Sequence, residues 1–232
     1  RSLVSWVKQK DSALLSAHEC VLWTFGYLQQ WRRDEHRELR GALERAIGEE
    51  PAHADARACL SMLYVDEHRL YFNPRPGALD RALDEAQRAV ALDTTSQLAN
   101  RAVAEAHYFR RELGACRVAT DRVLKLNPRD TSAIAMAGLL IAFWGDWELG
   151  KSVVERGIAM NPHHAGWFHG ILMWYYYRER EYGKAPAEAE KWNMPWYPWN
   201  HAGMAICQAQ LGNYKAARKH LDNLLKLSPR YG

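Results

Sequence analysis

Four similar tripeptides recur in the second half of this chain: Leu126-Asn127-Pro128, Met160-Asn161-Pro162, Asn193-Met194-Pro195 and Leu227-Ser228-Pro229. Their prolines are 34, 33 and 34 residues apart. Proline cannot continue an α-helix, because it has no N–H and its ring clashes with the preceding turn. The spacing therefore predicts a repeat of about 34 residues in which each period ends as a helix ends.

Other features keep the same phase. Gly145-Asp146-Trp147 and Gly212-Asn213-Tyr214 each fall about half-way between two of these prolines and predict a turn there. Small residues, which let two antiparallel helices approach closely, recur where paired helices would cross: Ala104, Gly138 and Ala205 in first helices, and Ala82, Cys116, Gly150, Ala185 and Ala217 in second helices. Each period is therefore interpreted as a hairpin of two helices.

This pattern resembles the tetratricopeptide repeat. The resemblance implies an all-α, right-handed superhelical solenoid of about six helix pairs, forming a single domain over residues 1–232. We expect a helix over residues 1–18 and then units at about 19–53, 54–96, 97–130, 131–164, 165–197 and 198–231. The second unit carries extra residues at 68–80, predicted as a loop; the fifth has one extra residue in its turn and a second helix shortened by two.

The amino-acid sequences of four motifs also resemble a narrower group of repeat proteins. Phe72-Asn73-Pro74-Arg75-Pro76, Gly145-Asp146-Trp147-Glu148, the run 161–167 and Asn193-Met194-Pro195 are similar to a bacterial subgroup. In that subgroup the repeats form the C-terminal part of signalling proteins with cyclase-like or winged-helix N-terminal domains. The resemblance implies that this chain is the sensory or scaffolding half of a longer cytoplasmic protein.

Composition narrows the function classes. The 232 residues carry a formal net charge of +4, and the basic residues are interleaved with acidic ones, as in Arg178-Glu179-Arg180-Glu181. Nucleic-acid binders usually concentrate Lys and Arg on one face, so we expect no nucleic acid. No stretch is suited to span a membrane. Four cysteines without CxxC spacing fit reduced thiols in a reducing compartment, with a Cys20–Cys59 disulfide left open.

The sequence contains few motifs that would indicate catalysis or metal binding. His163, His164 and His169 are the nearest approach to a metal cluster, but no Cys or carboxylate stands at the spacing of a zinc site. There is no GxSxG element and no Gly-rich phosphate loop. We therefore predict no catalytic residues, no metal and no cofactor.

The aromatic residues are the most informative. The resemblance implies that the first helix of each pair lines a concave face, and aromatic anchors are what peptide interfaces use. The predicted partner-binding groove comprises Trp23, Tyr27, Trp31, Arg101, Glu105, Tyr108, Phe109, Phe143, His169, Tyr176, Tyr177 and Trp199. The competing interpretation is that these rings pack on neighbouring helices or are covered by residues 1–18.

The leading functional hypothesis is a scaffold that binds a protein or peptide partner in this groove. Clamping of a C-terminal carboxylate is disfavoured, because Glu105 beside Arg101 would repel it. One alternative is a structural module that forms a homo-oligomer through its C-terminal helix pair. The other is an enzyme with a site between the 68–80 insertion and the groove.

Overall fold

A computed structural model of the chain describes residue 7 and residues 9–229. Within those residues the protein is all-α, with a short 3-10 helix at Ser12–Leu14, so the predicted fold class is confirmed. Residues 9–229 contain twelve α-helices, which are α1 (Ala17–Tyr27), α2 (Arg33–Glu49), α3 (Ala54–Arg69), α4 (Ala78–Leu92), α5 (Gln97–Phe109), α6 (Leu113–Leu126), α7 (Thr131–Phe143), α8 (Trp147–Met160), α9 (Phe168–Arg178), α10 (Ala185–Trp192), α11 (Pro198–Gln210) and α12 (Tyr214–Leu227).

In several hairpins the first of the two helices begins with a side-chain cap. Ser16 forms a reciprocal capping box with Glu19 at the start of α1. The side chains of Ser96 and Asp130 accept the amides of the third helical residue in α5 and α7, at 3.1 and 3.0 Å. These caps satisfy amides that have no partner inside the helix, and so fix where each hairpin starts.

The 34-residue period is visible in the helix starts. α5 and α7 begin 34 residues apart, as do α6 and α8. The turn inside each of the last four hairpins has one residue with positive φ: Arg111, Gly145, Arg180 and Gly212. Gly145 and Arg180 are 35 residues apart, one more than the period, which matches the extra turn residue predicted for the fifth unit. Arg180 and Gly212 are 32 residues apart, two fewer than the period, which matches the predicted shortening of the second helix by two.

The contacts divide the chain into two compact units, Arg1–Pro128 and Arg129–Gly232. Each contains three hairpins. In the first unit, α3 is the central helix and packs against α1, α2, α4 and α5. Residues 56–67 of α3 are all buried, which places the core of this unit around that helix. In the second unit, α9 packs against α7, α8, α10 and α11. The single domain over 1–232 stays a prediction.

The insertion in the second hairpin is non-helical at residues 70–77, as its prolines predicted. It is also firmly attached to the first unit. Phe72 is buried, and Arg40 of α2 donates to the carbonyl of Asn73 at 2.9 Å. The amide of Arg75 donates to the Glu67 carboxylate at 3.0 Å. The loop predicted at 68–80 is therefore confined to residues 70–77 and packs on the first unit.

The start of the chain also differs from expectation. Residues 1–6 and 8 of the predicted N-terminal helix lie outside the described residues. From residue 9 to residue 16 the only helix is the 3-10 turn at Ser12–Leu14, and α1 begins at Ala17. All four cysteines are free and buried, so the open Cys20–Cys59 disulfide is not formed. None of the helices in the described residues combines the length and apolar character needed to cross a bilayer.

Candidate partner-binding surface

Three of the predicted groove rings lie in the core of the first unit. Trp23, Tyr27 and Trp31 are at most 5% exposed. The Tyr27 hydroxyl donates to the buried carboxylate of Asp66 at 2.7 Å, and the guanidinium of Arg69 lies 4.9 Å from the Trp31 ring centroid. These rings pack on neighbouring helices, as the competing interpretation held, and do not offer a surface to a partner.

The predicted polar pair of the groove is also buried. Arg101 and Glu105, one turn apart on α5, are 7% and 3% exposed. They form an ion pair at 2.7 Å between Nε and Oε1. A buried charge is costly unless it is paired, and here each residue is the other's partner. The pair therefore stabilises the first unit internally.

Tyr108 and Phe109 end α5 and are half-buried. Their rings meet edge to face with centroids 5.0 Å apart, and Phe109 also meets the His68 ring at 6.1 Å. Burial raises the pKa of Tyr108. These are the predicted aromatics of the first unit that remain partly accessible.

The second unit keeps its predicted rings closer to solvent. Phe143, at the end of α7, is 42% exposed and lies 4.9 Å from the Trp147 ring. Tyr176 is half-buried, and the ammonium of Lys184 lies 5.4 Å from its centroid. The neighbouring Tyr175 points elsewhere: it is buried and donates to Glu148 at 2.5 Å.

Four rings of the second unit form a continuous series, which we call the aromatic array: Trp199, Trp174, Tyr177 and Tyr182. Successive centroids are 6.4, 6.3 and 5.5 Å apart. Trp199 is 38% exposed and the other three are half-buried. The rings come from α11, α9 and the turn after α9, so three separate segments build one surface.

The sequence interpretation missed two members of the array. Trp174 lies three residues before Tyr177 on α9, and residues at this spacing share a helix face. That spacing could have identified Trp174. Tyr182 lies in the turn between α9 and α10, where helical periodicity gives no information.

The helices around the array have few charged residues, whereas the turn that holds Tyr182 has two acids and two bases: Glu179, Arg180, Glu181 and Lys184. Neither α7 nor α11 contains Asp, Glu, Lys or Arg, and Arg178 is the only such residue on α9. The Arg178 guanidinium lies 5.6 Å from the Trp147 centroid, where it packs as a cation on a ring. A partner of the array would therefore meet apolar surface and ring donors on the helices and balanced charges at the turn, with no strong net electrostatic pull of either sign.

His169 lies in the first turn of α9, and its side chain is occupied. Its Nδ1 is 2.7 Å from a carboxylate oxygen of Glu188, and its Nε2 is 2.9 Å from Nε2 of His164. His163 is exposed. Among the described residues no group of three or more His, Cys, Asp or Glu is arranged to hold a metal ion.

The residues around the 68–80 insertion form a charge network. Arg40 and Arg81 each lie 2.7 Å from a carboxylate oxygen of the buried Glu67. Burial alone would raise the pKa of Glu67, but the hydrogen bonds from Arg81 and Arg40 outweigh it and hold that pKa below its usual value. These groups pair with one another, so the network has a structural role: it holds the loop against the first unit.

Sequence comparison adds no family. No protein-family model matches the chain, and a comparison with curated proteins gives no match. Solved structures do match it in fold. PilW, a widely conserved type IV pilus biogenesis factor, is 17% identical with a TM-score of 0.60, covering 92% of this chain and 94% of that chain.

Two further structures extend the comparison. A tetratricopeptide repeat protein from Parabacteroides merdae is 17% identical with a TM-score of 0.53, covering 91% of this chain and 80% of that one. A monomeric mutant of IFIT1 with Gppp-AAAA is 11% identical with a TM-score of 0.71, covering 91% of this chain and 50% of that one. At these identities the likeness shows the fold alone, which is a helical repeat of the tetratricopeptide type.

Proposed function

We propose that the protein is an interaction module whose second unit binds an extended, uncharged segment of a partner protein across the aromatic array. The repeat fold supports the general role, since such scaffolds present side chains along stacked hairpins. The observation that carries the specific proposal is the series Trp199, Trp174, Tyr177 and Tyr182, accessible and held at regular spacing.

The spacing of the rings favours an extended partner. An extended chain advances about 3.3 Å per residue and points alternate side chains to one side. Side chains two residues apart are then about 6.6 Å apart, close to the 6.4 and 6.3 Å between the first three rings. Apolar side chains at alternate positions of the segment could each lie over one ring of the series.

The ring donors favour the same partner. The Tyr177 and Tyr182 hydroxyls have no hydrogen-bond partner among the residues that the structure describes. An extended segment has unpaired backbone carbonyls to accept such donors, whereas a helical segment has bonded most of its own. Tyr and Trp suit this use, because they combine a large apolar body with one polar end.

The test is titration with synthetic peptides. Twelve-residue peptides with Leu, Val or Pro at alternate positions and Ser or Thr between them would be titrated while tryptophan fluorescence is followed. We expect Trp174→Ala and Tyr177→Ala each to weaken binding at least tenfold, since a central anchor is worth about 2 kcal/mol. Tyr214→Ala is the matched control, because Tyr214 is 73% exposed on α12 outside the array.

Two results would decide against the proposal. Affinities of the two array variants equal to wild type, with unchanged circular dichroism, would remove the array as the binding surface. Stronger binding of an amphipathic helical peptide than of any extended one would replace the proposed partner class.

A second candidate function is self-association through the C-terminal hairpin. Leu211, Tyr214 and Leu227 are 42%, 73% and 37% exposed on α11–α12 and its turn. Another copy of the chain could cover this apolar surface, as stacked repeats do. Analytical ultracentrifugation distinguishes the candidates: a dimer that Tyr214→Glu converts to a monomer supports self-association, and a monomeric wild type excludes it.

The proposal also concerns the longer protein to which this chain would belong. The motif sequences at residues 72–76 and 161–167 support the assignment of this chain to a bacterial signalling protein. That protein would have a cyclase-like or winged-helix domain before the repeats and would be cytoplasmic. The coding sequence upstream of residue 1 tests this directly. A neighbouring domain of any other class would exclude it.

A further inference from the structure

Two histidines of the second unit face each other at the start of α9. His164 lies in the loop between α8 and α9, and His169 lies in the first turn of α9. Their Nε2 atoms are 2.9 Å apart, and their ring centroids are 5.0 Å apart. The two nitrogens therefore lie nearly on the line that joins the rings, which is the geometry of a direct N–H···N hydrogen bond.

The other nitrogen of each ring is held by an acceptor. Nδ1 of His164 is 2.8 Å from the backbone carbonyl oxygen of Asn161. Nδ1 of His169 is 2.7 Å from a carboxylate oxygen of Glu188. A carbonyl and a carboxylate can only accept, so both Nδ1 atoms must carry a hydrogen and donate.

These anchors fix the tautomers. A neutral imidazole has one N–H and one bare nitrogen. With both hydrogens at Nδ1, two neutral rings would point the lone pairs of their Nε2 atoms at each other. One additional proton between them turns this repulsion into an N–H···N bond. Two additional protons would oppose two positive N–H groups.

We propose that His164 and His169 form a site for one shared proton, which fastens the loop before α9 to α9 and, through Glu188, to α10. The site goes beyond the proposed binding function and does not depend on it. It lies on the helix that also carries Trp174 and Tyr177 of the aromatic array.

The charges around the pair come from few elements. Glu188 of α10 faces His169, and Lys191 pairs with Glu188 on its far side. α7 and α11 carry no Asp, Glu, Lys or Arg. On α8, Glu148 accepts from Tyr175, Lys151 pairs with Glu155, and Arg156 is exposed.

Burial lowers the pKa of His169, while the hydrogen bond and charge of Glu188 oppose that effect, and the neighbouring His164 and Lys191 lower the pKa further. As the pH falls, an unfolded chain would bind a proton at each of the two rings, whereas the folded pair holds one.

A second histidine pair in the same unit provides an internal control. Nδ1 of His201 and Nδ1 of His220 are 3.1 Å apart, and Nε2 of His201 is 2.8 Å from the carbonyl oxygen of Pro195. Only one ring of this pair is anchored by an acceptor. His220 can therefore donate from Nδ1 while both rings stay neutral, and this pair needs no shared proton.

The test is long-range ¹H–¹⁵N NMR of the histidine rings in the full chain across the acidic range. We expect His164 and His169 to keep hydrogens on both Nδ1 atoms and to take up one proton in total before the fold is lost. His201 and His220 should show a neutral pair of tautomers. Because this measurement uses wild-type protein, it does not depend on any variant folding.

A variant gives an independent readout. His164→Gln places an amide N–H where it can donate to Nε2 of His169 without an extra proton, so the one-proton step should disappear; His220→Gln should leave that step in place. The proposal is overturned if a neutral Nε2–H tautomer is found on either ring of the pair, or if the two rings each bind a proton independently near the usual histidine pKa.

Discussion

Gly138 and Gly150 face each other where α7 crosses α8, and neither position has room for a Cβ. A Cβ on Gly138 would lie 2.8 Å from the carbonyl oxygen of Gly150, and one on Gly150 would lie 2.7 Å from the carbonyl oxygen of Gly138. We expect Gly138→Ala to lower the free energy of unfolding by about 2 kcal/mol, measured by urea denaturation.

A matched control separates packing from helix propensity. Gly41 lies in the interior of α2, and nothing is within 4 Å of the position of its Cβ. Gly41→Ala should raise stability by about 0.5–1 kcal/mol, because alanine is the better helix former. The same chemical change should thus have opposite signs at the two sites, and two equal shifts would contradict the close crossing.

The crossing also shows what the sequence could predict. Gly138 and Gly150 were expected at helix contacts because small residues recur there with the period of the prolines. The positions of the hairpins, the extra turn residue near Arg180 and the shortened α10 follow from the same counting. These features depend on local order along the chain, which periodicity reports directly.

The accessible surface could not be predicted in the same way. Tyr27 was expected in a groove, but its hydroxyl bonds to Asp66, 39 residues away. Whether a ring on a first helix is free depends on partners from other hairpins, and periodicity does not identify them. For this reason three predicted rings of the first unit are core. Tyr182 of the aromatic array was missed because it lies in a turn, whereas the spacing of Trp174 from Tyr177 could have identified Trp174.

The insertion at 70–77 should prove important for stability. Glu67 is fully buried beneath it and accepts hydrogen bonds from Arg40, Arg81 and the amide of Arg75. Removing one partner of a buried ion pair costs about 3–5 kcal/mol, since the remaining charge is left unpaired. We therefore expect Glu67→Gln to destabilise the protein by an amount in this range, measured by thermal and urea denaturation.

Glu49→Gln is the control for that prediction, because Glu49 pairs with Arg45 on the exposed face of α2. Such surface pairs contribute about 0.5 kcal/mol. Deletion of residues 73–77 should be as harmful as Glu67→Gln, because it removes the Asn73 carbonyl and the Arg75 amide together. A deletion variant as stable as wild type would show that the loop is dispensable.

His36 should make stability depend on pH. It is fully buried, with Nε2 2.9 Å from the carbonyl oxygen of Leu63 and Nδ1 3.3 Å from the amide nitrogen of Asn73. Nε2 donates to the carbonyl and Nδ1 accepts from the amide, so the neutral ring is fully bonded. Burial lowers the pKa of His36 below the usual 6.5.

The sign of the effect follows from this direction. Below the usual pKa the unfolded chain binds a proton that the folded His36 refuses, so stability is full above about pH 6.5 and falls as the pH decreases toward the folded pKa. His36→Gln keeps a donor for Leu63 but does not titrate. It should lose less stability than wild type between about pH 7.5 and pH 5. An unchanged pH dependence of urea denaturation would show that His36 is not responsible.

The turns of the hairpins give the last prediction. Gly212 has φ of +77°, whereas Arg180, at the corresponding place in the preceding hairpin, has φ of +60° with a side chain present. This left-handed conformation costs a non-glycine residue about 1–2 kcal/mol, while glycine costs about 0.4–1 kcal/mol in the entropy of the unfolded chain. Arg180 is exposed, so little packing is lost on its removal. We expect Arg180→Gly to stabilise the protein by about 0.5 kcal/mol and Gly212→Ala to destabilise it by a similar amount, both by urea denaturation. A loss of stability in Arg180→Gly would mean that the arginine side chain stabilises the turn more than its backbone strain opposes it.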